Sequence, residues 1–508
     1  MVRQRTQRIA IVTDVPLNHQ TSVRQRSIVS GVIWSTIDSA VGQALTLAIY
    51  VIMARLLSPH IIGLVATGAL ALDFCRAVLI ESIAVAVQAR AEPKDEDYTA
   101  SFWLIAGFSC LAAALLFASS DAIERLSGLQ DLALVLKGFC IVVAVQGLSR
   151  THEAWLTRNQ QFRPLTIRSM ISISLGGVVG IALASQGYGV LALVGQLVIT
   201  SIVSLVSLWT LTPWRPGLRF SRHTAGELLS YARYVSLTGI TNFANANSDL
   251  IFVTWYTGAA GAGFYSLAKR LVNAVSTVIG NSLNRVFFAT IAGLQHDRKA
   301  SSTTLLDFVM YTSLLTAPIF AGIAALAPDL ITAFFGTKWL EAAPLLSIIS
   351  VTGFLTTIGL YNHSVILAFG KPHWQTWLTL IYAVSNIAIF IVAAPFGLIA
   401  IAVGYVVRAL LLYPLSAGAS LRILSATVGR YASALVPAFT GSAVMAAAVV
   451  SLSYAMPTMS PWLRLASLTA LGASIYLAVV LVVARPAVVQ VWQEVSSRVR
   501  RSGSRTKT

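Results

Sequence analysis

Long apolar stretches separated by short polar connections fill nearly the whole chain. They fall near 30–55, 61–88, 99–119, 130–149, 165–185, 188–211, 229–256, 260–290, 303–327, 343–369, 374–394, 397–420, 431–454 and 462–484. Each is about as long as the roughly 20-residue helix needed to cross the hydrocarbon core of a bilayer. Lipid offers the backbone no hydrogen-bond partner, so apolar spans of this length are expected to be helical. The pattern therefore predicts an all-α polytopic membrane protein with about fourteen transmembrane helices.

The charges in the connections test that count, because cytoplasmic loops carry the excess Lys and Arg. Every second connection is basic. The basic set comprises the N-terminal arm (Arg3, Arg5, Arg8, Arg24, Arg26), Arg90 to Lys94, Arg150 to Arg163, Trp214 to His223, Asp297-Arg298-Lys299, Lys371, Arg422 with Arg430, and the tail from Arg498 to Lys507. The alternate connections, such as Leu57-Ser58-Pro59-His60, Ser119 to Gln130, Tyr256 to Gly261 and Pro328 to Pro344, are nearly free of positive charge. This alternation predicts an even number of spans and places both termini on the cytoplasmic side of a cell inner membrane. The basic arm lacks the apolar core and cleavage site of a signal peptide, so the first span is expected to be retained.

Composition agrees: 56% of the 508 residues are hydrophobic and 11% charged, against about a quarter charged in soluble domains. The net charge of +17 follows from topology, and no basic run interleaved with aromatics suggests nucleic acid. Cys75, Cys110 and Cys140 lie inside apolar stretches without metal-ligand spacing, which predicts packing roles and no metal. There is no GxxxxGK[ST] motif for ATP, and no cofactor is expected.

Sliding the chain on itself by about 200 residues aligns Gly63 with Gly263 and Asp73 with Asn273, in keeping with the duplicated halves of many transporters. The expected organisation is a basic arm (1–28), a first lobe of six helices (29–211), a cytoplasmic linker (212–228), a second six-helix lobe (229–420), two further helices (421–485) and a basic tail (486–508).

Polar side chains inside the spans carry the functional information, because an ionisable group near mid-bilayer costs at least roughly 2.5–3.5 kcal/mol. Ser35, Asp38, Gly42 and Thr46 form a stripe on the first span, and the second adds Asp73, Arg76 and Glu81. Asp73 and Arg76, at i and i+3, can neutralise each other. Asn242, Asn245 and Asp249 recur on the seventh span; Lys269, Arg270, Asn273 and Arg285 mark the eighth. The repeat relates these four spans, so their polar faces are expected to meet in one central cavity. Arg76, Arg233, Asn242, Asn245, Lys269, Arg270, Asn273 and Arg285 are its candidate substrate ligands, the cations being suited to phosphate oxygens. For Arg233 and Arg285 the alternative is snorkelling to the interface. Asp38, Asp73 and Asp249 are the candidate ion-coupling carboxylates, and no residue is expected to be catalytic.

At these residues the chain resembles the polysaccharide transport proteins, the Wzx-like O-antigen and exopolysaccharide flippases of the multidrug/oligosaccharidyl-lipid/polysaccharide (MOP) exporter superfamily. The resemblance runs from about Ser30 to Arg485. Its more specific parts are Ala54-Arg55-Leu56-Leu57-Ser58-Pro59 with Gly63-Leu64-Val65-Ala66, Gly263-Phe264-Tyr265-Ser266-Leu267-Ala268-Lys269-Arg270-Leu271, and Phe335-Gly336-Thr337-Lys338-Trp339 with Ala342-Ala343-Pro344-Leu345-Leu346. It implies a MATE-like pair of rocking lobes that carry a polyprenyl-diphosphate-linked oligosaccharide to the periplasmic leaflet. A polysaccharide polymerase and a chain-length regulator would be its partners, with membrane lipids around it. Neighbouring readings are a drug/cation antiporter and a peptidoglycan-precursor flippase. Further off are a membrane glycan polymerase or ligase, for which Pro328 to Pro344 offers too few catalytic groups, and a purely structural subunit, which would not need buried polar stripes.

Overall fold

The computed structural model describes residues 41–456 and 460–483. The basic arm and tail, with Ser35 and the candidate Asp38, lie outside the described residues. Ten helices there are long and apolar enough to cross a membrane. They are α4 (Asp95–Ser127), α5 (Leu132–Arg158), α6 (Phe162–Ser185), α7 (Val190–Leu211), α9 (Arg298–Ala325), α11 (Ala342–Ala368), α12 (Pro372–Ala393), α13 (Leu398–Leu424), α14 (Val428–Ala455) and α15 (Pro461–Val483). The other four predicted stretches fall on α1 (Val41–Leu56), on α2 (Pro59–Cys75) with α3 (Glu81–Gln88), and on the two halves of α8 (Arg222–Gly293). No strand occurs among the described residues.

Local chemistry explains the breaks. Ser58 caps α2 by accepting from the Ile61 N–H at 3.4 Å, with Pro59 opening the helix, a position where its missing N–H costs nothing. Three acids, Asp95, Glu96 and Asp97, begin α4, where the helix dipole favours negative charge. Gly258 breaks α8 at φ +71° and ψ −172°, a conformation open to glycine alone. Between α2 and α3, Arg76–Ile80 forms a π-helical turn. The Val78 carbonyl accepts there from Ser236 Oγ of α8 at 2.7 Å.

Several helices outrun their apolar stretches. The connection expected over Arg150 to Arg163 is helical as far as Arg158, and α8 begins at Arg222, inside the expected 212–228 linker. The Ser119 to Gln130 loop is helical to Ser127, and Pro328 to Pro344 holds a short helix, α10 (Ala327–Phe334), and a 3₁₀ turn at Thr337–Trp339. Hydropathy marks where lipid ends, whereas the backbone hydrogen-bond ladder continues into the polar interface. What remains of the linker is anchored: Trp214 is buried against Tyr98 and Phe102, with ring centres 5.8 and 6.4 Å apart.

Helices α4, α5, α6 and α7 pack on one another and on α2, while α9, α11, α12 and α13 pack together around α8; α2 and α8 join the two groups. Helix α14 lies on α9, and α15 lies on α14 and α10. The α15 contacts include Arg464 to Asp329 at 3.1 Å, Trp462 against Phe334 with ring centres 4.8 Å apart, and Tyr476 Oη donating to the Leu314 carbonyl at 2.7 Å.

Candidate functional site: a polar cavity between two helix groups

The α2–α8 contact is made by the residues the 200-residue offset aligns. A Cβ on Gly63 would fall 1.7 Å from the Ala259 carbonyl oxygen, and one on Gly263 would fall 2.0 Å from that of Pro59. Only hydrogen side chains allow this approach. One turn further, Thr67 and Thr254 join their hydroxyls at 3.0 Å. Around this crossing the end of α1 is tied to the α10–α11 connection. Arg55 donates from Nε to the Phe334 carbonyl at 2.6 Å and from its terminal nitrogen to Ala333. Lys338 donates to the Arg55 and Leu57 carbonyls at 2.8 and 2.7 Å, and buried Trp339 Nε1 donates to Ala54 at 2.7 Å.

Beyond the crossing the helices separate around a cavity of ≈ 1090 Å³ whose walls come from α1, α2, the π turn, α3, α5, α6, α7 and both halves of α8. Toward its other end the groups touch again. Gly239 lies against the Ala77 carbonyl, where a Cβ would come within 2.5 Å. Arg90 pairs with Glu227 at 2.7 Å and with Asp97 at 2.9 Å.

Arg76, Asn242, Lys269, Arg270, Asn273 and Asp73 all line this cavity. Their charges are not equally available. Lys269 Nζ donates to Asp249 Oδ2 at 2.5 Å and to the Ala246 carbonyl at 2.6 Å. Asp249, 1% exposed, also accepts from Tyr265 Oη at 2.8 Å and from the Leu250 N–H at 2.8 Å. Lys269 and Asp249 thus neutralise each other, and both carboxylate oxygens are occupied. Arg270 instead lies 4.2 Å from the ring centre of Tyr50 in a cation–π contact and has no carboxylate at ion-pair distance among the described residues. Asp73 and Arg76 both face the cavity and form no ion pair at bonding distance among the described residues, although Arg76 is close enough to act on the charges of Asp73 and Glu153.

Four sequence candidates lie outside the lining: Asp249, held in its pair with Lys269, and Asn245, Arg233 and Arg285. Asn245 turns into the second helix group, where Asn386 Nδ2 donates to its carbonyl and side-chain oxygens, both at 2.8 Å, and Arg408 Nε donates to Asn386 Oδ1 at 2.7 Å. The reason is angular. At about 100° per residue, Asn245 and Asp249 sit to one side of Asn242, whereas Phe243, Ala246, Asn247 and Leu250 complete the cavity face. Arg233 is exposed and stacks on the neighbouring Tyr234 ring at 4.7 Å. Arg285 does not line the cavity.

Sequence reasoning missed a second charged group on the first-group wall. Arg150 pairs with Glu81 at 2.6 Å and with Glu153 at 3.0 Å, and Arg168 approaches Glu153 at 3.6 Å. The hydropathy pattern puts Arg150 and Glu153 in a connection, whereas both lie on α5. The signal that was available is their i, i+3 spacing with Gln146 and Ser149 just before them, which continues a polar helical face. The described cavity lining contains five cations (Arg76, Arg150, Arg168, Lys269, Arg270) and three carboxylates (Asp73, Glu81, Glu153). Among the described residues no His, Cys, Asp and Glu cluster could hold a metal ion.

Comparison with known proteins agrees with this architecture. The chain is 26% identical over 72% of its length to the succinoglycan biosynthesis transport protein ExoT of Rhizobium meliloti, of which it covers 74%. It is 23% identical over 68% of its length to the lipopolysaccharide biosynthesis protein WzxC of Escherichia coli, of which it covers 71%. Among solved structures, the lipid II flippase MurJ in an inward closed conformation matches 90% of this chain and all of its own at a TM-score of 0.70 and 16% identity. An inward-facing MATE multidrug transporter of the MOP superfamily matches 78% of this chain and all of its own at a TM-score of 0.60 and 15% identity. These two likenesses establish the fold, a multi-pass helical membrane architecture. Residues 52–344, more than half of the chain, match the family described as polysaccharide biosynthesis protein, and the chain belongs to that family.

Proposed function

We propose that the protein is a flippase that moves a polyprenyl-diphosphate-linked oligosaccharide from the cytoplasmic to the periplasmic leaflet of the inner membrane for exopolysaccharide or O-antigen synthesis. The observation that carries this reading is a large polar cavity between two helix groups whose lining holds five cations against three carboxylates, a surplus of positive charge that suits a diphosphate. The relatives named for succinoglycan transport and lipopolysaccharide biosynthesis support it. A drug/cation antiporter would need free carboxylates, yet here most of the acidic groups are already paired.

In this reading the first lobe (29–211) and the second (229–420) rock about the α2–α8 crossing. Basic connections, including that of Arg90, face the cytoplasm with both termini, and the Arg55–Lys338–Trp339 contacts close the periplasmic end. Arg270 and Arg76 are the substrate ligands, with Asn242 and Asn273 beside them. Asp73 is the described carboxylate that remains open to the cavity for ion coupling. A polymerase and a chain-length regulator would take over the delivered unit.

The test is to delete the gene and extract the lipid-linked sugars. Complete repeat units should accumulate in the inner leaflet while polymer is lost. An unchanged pool with altered drug sensitivity would favour the antiporter.

A further inference from the structure

The connection between α7 and α8 is not a loose tether. Pro213, Pro216 and Gly217 keep it from continuing either helix, and its first half is fixed to the first helix group. Trp214 is buried, and Arg215 donates to the carbonyls of Thr212, Trp214 and Trp209. The Gly217 N–H donates to Thr99 Oγ1 at 3.3 Å, and its carbonyl accepts from Trp103 Nε1 at 2.9 Å. The next residues are open. Leu218 is 89% and Phe220 46% exposed, and Arg219 and Arg222 are exposed with no ion-pair partner among the described residues.

Trp103 tells what lies beside these side chains. On α4, Trp103, Gly107, Cys110, Leu111 and Leu115 are exposed and recur on one face, an uninterrupted apolar strip on a helix able to span the membrane. Such a strip faces lipid. Trp103 stands at the end of the strip nearest the start of α4, and tryptophans in that position mark the boundary between acyl chains and headgroups. Leu218 follows the glycine that this indole holds, so Leu218 and Phe220 stand at the same boundary with the two open arginines beside them.

Apolar side chains suit the acyl boundary and arginines suit anionic headgroups, and surface attachment draws on both. The acids nearby do not compete. Asp97 and Glu227 are held by Arg90 at 2.9 and 2.7 Å, and Asp95 and Glu96 form no described ion pair with Arg219 or Arg222. The chain's own arm carries Arg3, Arg5, Arg8, Arg24 and Arg26, like charges that this segment would repel.

We propose that segment 218–222 is a membrane-surface contact, in which Leu218 and Phe220 enter the acyl boundary and Arg219 and Arg222 bind anionic phospholipid headgroups. The lipid thereby holds the joint between the two helix groups at headgroup level. The contact does not depend on what the cavity carries.

The test uses the full-length chain with Cys75, Cys110 and Cys140 changed to Ser and an apolar fluorophore on Leu218→Cys, in nanodiscs of phosphatidylcholine. Phosphatidylglycerol and phosphatidylcholine bearing the same nitroxide on the acyl chain are compared as trace quenchers. At low salt the phosphatidylglycerol should quench about twofold or more the better. The two should converge at about 1 M salt, where screening reaches within about 3 Å. Arg219→Gln with Arg222→Gln should remove the difference while both lipids still quench. A reporter at Gly107→Cys, where a Cβ meets nothing within 4 Å, should be quenched by both lipids alike in either background. Equal quenching at Leu218→Cys before the arginines are changed would overturn the anionic contact. Quenching at Gly107→Cys alone would overturn the membrane contact altogether, and quenching at neither site would overturn the placement of the α4 strip in lipid on which the proposal rests.

Discussion

Lys269 and Arg270 are adjacent in sequence and do different work. Lys269 holds a carboxylate that is 1% exposed, and stripping one partner from a buried ion pair costs about 3–5 kcal/mol. Lys269→Ala should therefore lower the unfolding temperature in detergent sharply, and Asp249→Asn in the same chain should restore most of the loss. Arg270, stacked on Tyr50 and free of a described ion pair, should behave oppositely. Arg270→Gln is expected to leave thermal unfolding nearly unchanged while export of lipid-linked sugar is lost, as read from polymer yield. The sequence singled out both cations as cavity residues, and both line the cavity. It did not separate them, because the partner that disarms Lys269 lies 20 residues away and only folding brings it near. Arg233, legible only as a charge beside an apolar stretch, is exposed and stacks on Tyr234 outside the cavity.

At the scale of helices, the α2–α8 crossing makes the strongest demand. Gly63→Ala or Gly263→Ala must push two backbones apart, and overpacking of this kind costs typically about 1–3 kcal/mol. Both should lose thermal stability and export. Gly107→Ala on α4, where a Cβ would meet nothing within 4 Å, should lose neither. Nearby, Trp339→Phe keeps an aromatic ring but trims the buried indole and removes its bond to the Ala54 carbonyl, a bond worth about 0.5–1.5 kcal/mol net. In a chain with Cys75, Cys110 and Cys140 changed to Ser, a cavity reporter at Ala274→Cys should react about two- to tenfold faster with an impermeant thiol reagent added outside. Unchanged labelling would mean that the Arg55–Lys338–Trp339 contacts do not limit opening. The sequence showed Phe335-Gly336-Thr337-Lys338-Trp339 as a motif of unspecified purpose, since its acceptors are main-chain carbonyls that no side-chain pattern records.

For the molecule as a whole, an anionic substrate leaving a negative interior gains roughly 2.3 kcal/mol per charge per 100 mV. Collapsing the membrane potential with valinomycin and external potassium should slow export even with the pH gradient intact; export that continues at its full rate would point to another energy source. By itself the sequence determined the helical class, the positions of the apolar spans and part of the cavity lining, Arg76, Asn242, Lys269, Arg270 and Asn273 among it, because these follow from burying backbone hydrogen bonds in lipid and from the cost of placing charges there. The 200-residue offset even paired Gly63 with Gly263, which the fold presses together. Tertiary structure alone decided which charges are cancelled. The Lys269–Asp249 bridge, the Asn245–Asn386–Arg408 chain and the Arg150–Glu81–Glu153–Arg168 cluster all join segments whose distance and angular phase the one-dimensional pattern does not encode. Availability of charge, on which binding depends, is a property of those contacts and not of the residues that make them.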